Sequence, residues 1–208
     1  MIAIVDYGVG NLFSLKSSLA AVGRSALVTG DASKLRRAEK IILPGVGAFG
    51  DAAEKLHALG LDEVLREQTL AGKPLLGICL GMQLLFDKSY EYGEHAGLGL
   101  VPGNVRPLAG VIPDTCKIPH IGWNALDFHG RSSPLFRYVQ EGECVYFVHS
   151  YYAADCEGSV IATAEYGAPV TAAVQRENIY GCQFHPEKSG KVGLNILRAF
   201  CEISQGLY

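Results

Sequence analysis

Pro74-Leu75-Leu76-Gly77-Ile78-Cys79-Leu80-Gly81-Met82-Gln83-Leu84-Leu85-Phe86 is the stretch on which the reading of this chain turns. Leu75 to Ile78 is a short apolar run of the kind that fits a buried strand. From about Met82 the pattern is helical, with Leu and Phe on one side. Cys79 stands between the two, with Gly77 two residues before it and Gly81 two after. That spacing has the form of the nucleophile elbow of hydrolases, with Cys in place of Ser. A sharp strand-to-helix turn strains the nucleophile's backbone and needs small neighbours, which the glycines supply. It also sets the sulfur near a helix N-terminus, where the dipole favours thiolate over thiol. The N–H of Leu80 would then face an attacked carbonyl and hold a developing oxyanion. A buried structural cysteine in a βα turn fits the same segment, so a partner histidine has to decide.

Upstream, the same grammar repeats. Ile2 to Val5 is an apolar run of central-strand type, followed by the turn Asp6-Tyr7-Gly8-Val9-Gly10-Asn11 and a helical period at Leu12, Leu15, Leu19 and Val22. The turn lacks the third glycine of a dinucleotide fingerprint and the lysine of a P-loop, so a plain βα connection is expected there. Ala26 to Val28 and Ile41 to Leu43 are further strands. The latter runs into Pro44-Gly45-Val46-Gly47, and one helix is expected next, burying Phe49, Ala53, Leu56, Leu59 and Val64. Repeated βα units imply a largely parallel central sheet with helices on both faces. Ligands bind such sheets at the carboxyl ends of the strands, where both Gly45-Val46-Gly47 and Cys79 lie.

Downstream of Ser89 the pattern changes. Tyr90 to Gly97 is a polar loop, and Gly99 to Val105 reads as short strands around a turn. Ile118 to Asn124 holds the only Trp, and Val145 to Tyr152 is one strongly β run. Ile161–Ala164, Thr171–Val174 and Tyr180–Phe184 are further strands, with Asn178 turning a hairpin, and a last helix carries Val192 to Ile203. The second half thus adds antiparallel strands to the parallel core, and no linker or repeat divides residues 1–208, so one domain is expected.

The totals agree. Hydrophobic residues are 49% of the 208 and charged residues 19%, with a net charge of −3. Such a chain affords a large core and lacks the basic surface that nucleic acid or an anionic membrane would favour. Met1 to Asp6 reaches an acid too soon for a secretory h-region, and no apolar run approaches the ~18–20 residues of a membrane helix. The six cysteines are scattered without a CxxC, so a reduced cytoplasmic protein without a metal site or other cofactor is expected.

Among six histidines, His57, His95 and His129 lie in polar surroundings. His120 precedes an apolar stretch and suits a packing or interface role, and His149 ends a β run and is a rival base. His185 is the best candidate: it follows a strand, Pro186 keeps it out of the helical region, and residues two apart in extended chain point the same way. Glu187 can therefore turn toward the imidazole and fix its tautomer, completing a nucleophile–base–orienter set Cys79, His185, Glu187. A capped turn before the last helix is the bland alternative for His185-Pro186-Glu187, and sequence alone does not show that it lies near Cys79.

Gly77-Ile78-Cys79-Leu80-Gly81-Met82-Gln83 together with His185-Pro186-Glu187 resembles the triad-type (class I) glutamine amidotransferases. The DYGVGN opening, Pro44 to Gly47, His120-Ile121-Gly122-Trp123-Asn124 and His185 to Ser189 further resemble, within that family, the glutaminase subunits that serve imidazole glycerol phosphate synthesis in histidine biosynthesis. The resemblance spans nearly the whole chain. It implies that Cys79 attacks the γ-carboxamide of glutamine, that His185 activates the thiol and protonates departing ammonia, and that Glu187 orients His185. It implies oxyanion donors at Leu80 and Val46, the latter after a peptide flip at Gly45-Val46. It implies glutamine contacts at Gly47, Gln83, Ser150 and Tyr151, and a heterodimer with a (β/α)8-barrel cyclase that receives the ammonia. Asn11, His120, Trp123 and Lys188 are the expected face against that barrel. Tyr90 to His95 carries more aromatic and charged bulk than the resemblance implies, and Gly110 to Lys117 is not matched by it. Other class I amidotransferases, a stand-alone glutaminase or γ-glutamyl hydrolase, and a non-catalytic module on the same fold are the alternatives; the opening motif, the HIGWN stretch and the intact triad count against them.

Overall fold

The computed structural model describes residues 1–204. The chain opens with β1 (Ile2–Val5), α1 (Leu12–Ala21), β2 (Ala26–Thr29), α2 (Ala32–Arg37) and β3 (Lys40–Gly45). It continues through α3 (Phe49–Ala58), α4 (Leu61–Leu70), β4 (Leu75–Cys79) and α5 (Leu80–Gln83). Then come β5 (Lys88–Ser89), β6 (His95–Ala96), β7 (Asn104–Pro107), β8 (His120–Ala125) and β9 (Cys144–His149). Last are β10 (Tyr151–Ala154), β11 (Val160–Glu165), β12 (Pro169–Arg176), β13 (Ile179–Cys182) and α6 (Gly190–Glu202).

A seven-stranded sheet runs in the order β11-β12-β13-β4-β3-β1-β2. Neighbours from β13 to β2 are parallel, and β12 and β11 extend the β13 side antiparallel. This is the α/β architecture the sequence implies, with one difference: β13 belongs to the parallel core rather than to the antiparallel addition. Successive side chains of a strand point to opposite faces. Ile2, Ile4, Ile42, Leu76 and Ile78 accordingly join α1 and α6 in one core, with Leu15, Ile196 and Phe200. Ala3, Val5, Ile41, Leu43 and Leu75 join α2, α3 and α4 in the other, with Leu35, Leu56 and Leu65. Strands buried on both faces need the continuous apolar runs seen in the sequence.

Several expectations are corrected. The helix after β3 is two helices, because Gly60 takes the left-handed conformation (φ 63°) between them, and Leu59 is 56% exposed rather than buried. α2 was not visible as a helical period; Asp31 starts it by accepting the Ser33 N–H at 2.8 Å. α5 is a single short turn, after which Leu84 to Phe86 pack inside without a longer helix. Val145 to Tyr152 is two strands: β9 pairs with β8 in a two-stranded ribbon, while β10 pairs with β7 in a separate four-stranded sheet. Ser150 is the changeover, its carbonyl taken by the Leu108 N–H at 2.9 Å.

Candidate active site

Cys79 closes β4 with φ 54° and ψ −113°. That is costly backbone for a residue with a side chain, and such strain gathers at functional sites. The neighbouring glycines are required by close packing. A Cβ on Gly77 would lie 2.6 Å from the Gly81 carbonyl oxygen, and one on Gly81 would strike the Leu43 carbonyl. The first turn after the nucleophile is thus pressed against β3 and β4, and only hydrogen fits.

The parallel pairing of β13 with β4, Cys182 opposite Ile78, sets the end of one strand beside the end of the other. His185 comes off β13 at that rim. Its N–H donates to the Tyr146 carbonyl at 3.0 Å, and its own carbonyl accepts from the Ser189 hydroxyl at 2.7 Å, so its backbone is clamped. His185 Nδ1 lies 2.8 Å from Glu187 Oε1, both side chains being buried. The carboxylate reaches the ring through the 3-10 turn Pro186–Lys188, not along an extended chain as the sequence reading assumed. Burial pulls the imidazole's pKa down, but Cys79 and Glu187 outweigh it and the pKa is raised to about 9. The charged imidazole is therefore favoured beside the sulfur. Nε2 itself has no aligned hydrogen-bond partner, which leaves its proton free to move between the sulfur and a bound molecule.

A cavity of about 300 Å³ opens over this pair. It is lined by Val46, Gly47, Cys79, Leu80, Gln83, Glu91, Val148, His149, Ser150, Tyr151, His185 and Lys188. The structure thus brings together Cys79 and His185 with both expected oxyanion positions and all four expected substrate positions. Leu80 opens α5, so its N–H has no acceptor within the helix. Glu91 was missed by the sequence reading. It lies in the polar segment Tyr90 to Gly97, where one carboxylate among several carries no signal. Its Oε2 accepts the Phe49 N–H at 2.6 Å, at the start of α3, which fixes it at the cavity edge.

His149 is excluded as the base by its partners. Its Nδ1 lies 2.8 Å from the Tyr151 carbonyl and its Nε2 3.0 Å from His120 Nδ1. His120 Nε2 in turn lies 2.8 Å from Asn124 Oδ1, and the Asn124 amide donates to the Glu165 carbonyl at 2.9 Å. Both ring nitrogens of His149 are occupied, and burial depresses its pKa to about 4, so it lines the cavity as a neutral wall.

The four residues expected on a partner face divide. Alternation along β8 turns Trp123 outward at 55% exposure, with Ile121 beside it, and turns His120 inward at 1%. His120 is stacked between Phe147 and Tyr166, with ring centroids 4.8 and 3.9 Å away, so it supports that face from behind rather than forming it. Lys188 lines the cavity with its Nζ 5.9 Å from the centroid of the Tyr146 ring. Asn11 starts α1, accepting the Ser14 N–H at 3.4 Å, and borders a small void behind Gly45, His185 and Glu187. Among the described residues no cluster suits a metal ion, and no helix is long and apolar enough to cross a membrane.

Residues 3–203 match the family model for class-I glutamine amidotransferases. A relative from Geobacillus thermodenitrificans, described as imidazole glycerol phosphate synthase subunit HisH, is 51% identical over 209 residues, covering 99% of this chain and 97% of its own. A subunit of the same description from Wolinella succinogenes is 49% identical over 205 residues, covering 98% of this chain and 100% of its own. Among solved structures, a glutamine amidotransferase superposes with a TM-score of 0.76 at 20% identity, covering 97% of this chain and 98% of that one. PurLQS from Thermotoga maritima gives 0.73 at 21% identity, covering 96% of each chain.

Proposed function

Since the chain belongs to the class-I glutamine amidotransferase family, we propose that it is the glutaminase subunit of an imidazole glycerol phosphate synthase, with all 208 residues acting as one domain. The observation that carries the chemistry is Cys79 on a strained elbow, facing a His185–Glu187 pair inside a small-molecule-sized cavity. The synthase assignment rests on relatives about half identical over nearly the whole of both chains.

In this reading the Cys79 thiolate adds to the γ-carboxamide carbon of glutamine, and the carbonyl electrons move onto oxygen. The N–H groups of Leu80 and Val46 hold that oxyanion, the latter after the Gly45-Val46 peptide turns toward it. The C–N bond then breaks, and His185 gives its Nε2 proton to the departing nitrogen, releasing ammonia and leaving a glutamyl thioester. Water loses a proton to His185, attacks the thioester and expels the thiolate with glutamate. Glu187 keeps His185 Nδ1 protonated and the ring in place. Gly47, Ser150 and Tyr151 shape the glutamine site. The carboxylate of Glu91, held at the cavity edge, suits the α-ammonium of an amino acid.

Ammonia set free in neutral water would be protonated and lose its nucleophilicity, which is the reason to pass it directly to a second active site. The partner is a (β/α)8-barrel cyclase, docked over Trp123, Ile121, Lys188 and Asn11, with His120 behind them, and both work in the cytoplasm. The test is glutamate release by the purified chain, alone and then with that cyclase loaded with its substrate. Slow release alone and a large rise with the loaded partner are expected. Fast release that ignores the partner would replace this reading with a stand-alone glutaminase.

A further inference from the structure

The residue beside the triad with no role so far is Gln183, two positions before His185. It is fully buried. Its Nε2 lies 3.7 Å from Cys79 Sγ, and its Oε1 accepts from Gln83 Nε2 at 3.0 Å. Gln83 Nε2 also donates to the Tyr151 carbonyl at 3.0 Å.

These contacts have one allowed direction. A backbone carbonyl can only accept, so Gln83 must present its NH₂ group to Tyr151. The same NH₂ group then faces Gln183, which must answer with its oxygen. The Gln183 NH₂ group is left pointing at the sulfur, where Cys79 must accept. Turning Gln83 over would set its oxygen against the Tyr151 carbonyl, and turning Gln183 over would set two NH₂ groups against each other and its oxygen against the sulfur. The amide assignment is thereby fixed by the Tyr151 carbonyl. Besides His185, the sulfur has the Val148 carbonyl 4.0 Å away, to which only a thiol can donate. An N–H donor suits a thiolate acceptor better than a neutral thiol, and Gln183 supplies one at the shorter of the two contacts.

We propose that Gln183 is a second N–H donor to the Cys79 thiolate, aimed by Gln83 and the Tyr151 carbonyl and acting alongside His185. The proposal rests on Cys79 being the nucleophile and deepens that reading. It also changes the place of Gln83. Both amide hydrogens of Gln83 are spent inside the protein, so only its oxygen is left for glutamine, and its main work is to hold Gln183 in register. A hydrogen bond to a charged group is stronger than one to a neutral group, so its loss moves the thiol–thiolate balance.

The test is the pH dependence of Cys79 alkylation by iodoacetamide, followed on the peptide that carries Cys79, in the native chain and in Gln183→Met. Methionine keeps the bulk and removes the donor. The expected result is an alkylation midpoint displaced to higher pH, with the rate at neutral pH falling about tenfold or more. Gln83→Met provides a second variant, in which Gln183 is present but no longer aimed; a smaller displacement in the same direction is expected. An unchanged midpoint in a folded Gln183→Met chain, or in Gln83→Met should the first not fold, overturns the proposal. A native Cys79 no more reactive than the exposed Cys144 would overturn the nucleophile reading and this proposal with it.

Discussion

The two walls of the cavity hold one buried histidine each, and the two are driven in opposite directions. On the wall made by the parallel strands, His185 sits against a carboxylate and a sulfur, and its pKa rises to about 9. On the wall made by the β8–β9 ribbon, His149 sits against a carbonyl and a second imidazole, and its pKa falls to about 4. Burial acts downward on both. The difference lies in whether anionic partners are at hand to offset it. One wall keeps a ring that holds its proton beside Cys79. The other keeps the Tyr151 carbonyl, and through it Gln83 and Gln183, in place.

The most severe way to test that contrast is to empty the chemical wall. Cys79→Ser or His185→Ala should each lower glutamine hydrolysis by roughly a millionfold, to the detection floor, since triad members act as a unit. Cys79→Ser should leave the partner's reaction with added ammonia intact; loss of both reactions in a folded complex would contradict the division of labour. Glu187→Ala should cost about ten- to a hundredfold less than His185→Ala, because an orienting acid is less costly to lose than the base. An active His185→Ala chain would return the base to His149.

The pH profile sharpens the comparison next. With the His185 pKa raised to about 9, the imidazolium that protonates the leaving group persists through neutral pH and is lost above it. Turnover should therefore fall as pH rises through about 9. Glu187→Gln should move that limb to lower pH, since Glu187 is one of the groups that raise the value. A limb that does not move would remove Glu187 from the proton's environment.

His149 makes the opposite prediction, in stability. Its folded pKa of about 4 lies below the ordinary histidine value, so on acidification the unfolded chain takes up the proton first. Stability should fall as pH drops from about 6.5 to 4, by about 3 kcal/mol. His149→Phe should flatten that slope in urea unfolding midpoints; a slope that persists would assign it to other groups. The smallest effect belongs to the outer side of the same ribbon. Trp123→Ala should change the isolated chain's stability by under about 1 kcal/mol, since the ring is largely exposed. It should nonetheless weaken binding of the cyclase, measured by titration; unchanged binding would move the docking face elsewhere.

How much of this was legible in the sequence follows from the range over which each signal acts. The elbow was legible because a strained nucleophile between two glycines is written within five residues, and the parallel strands because burial on both faces demands unbroken apolar runs. The pair His185 and Glu187 was also legible, though the sequence suggested an extended chain where a 3-10 turn makes the contact. The split of Val145 to Tyr152 into two sheets was not legible, because a change of hydrogen-bond partner at Ser150 leaves the β pattern unchanged. His120 was read as a packing or interface residue, and burial gives the packing role; residues three apart on a strand face opposite sides, but alternation alone does not say which side is inward.

By itself, then, the sequence determined the local pieces: an α/β chain, a cysteine elbow, and a histidine tied to a glutamate. Only the tertiary structure decided that they form one site, because that depends on β13 inserting beside β4 in parallel, with Cys182 opposite Ile78. The same long-range pairing sets Gln183 against the sulfur and, with the packing of the Tyr90–Gly97 segment on α3, brings Glu91 to the cavity. Contacts between residues so far apart in the chain carry no periodicity and no spacing, and they exist only once the sheet has chosen its strand order.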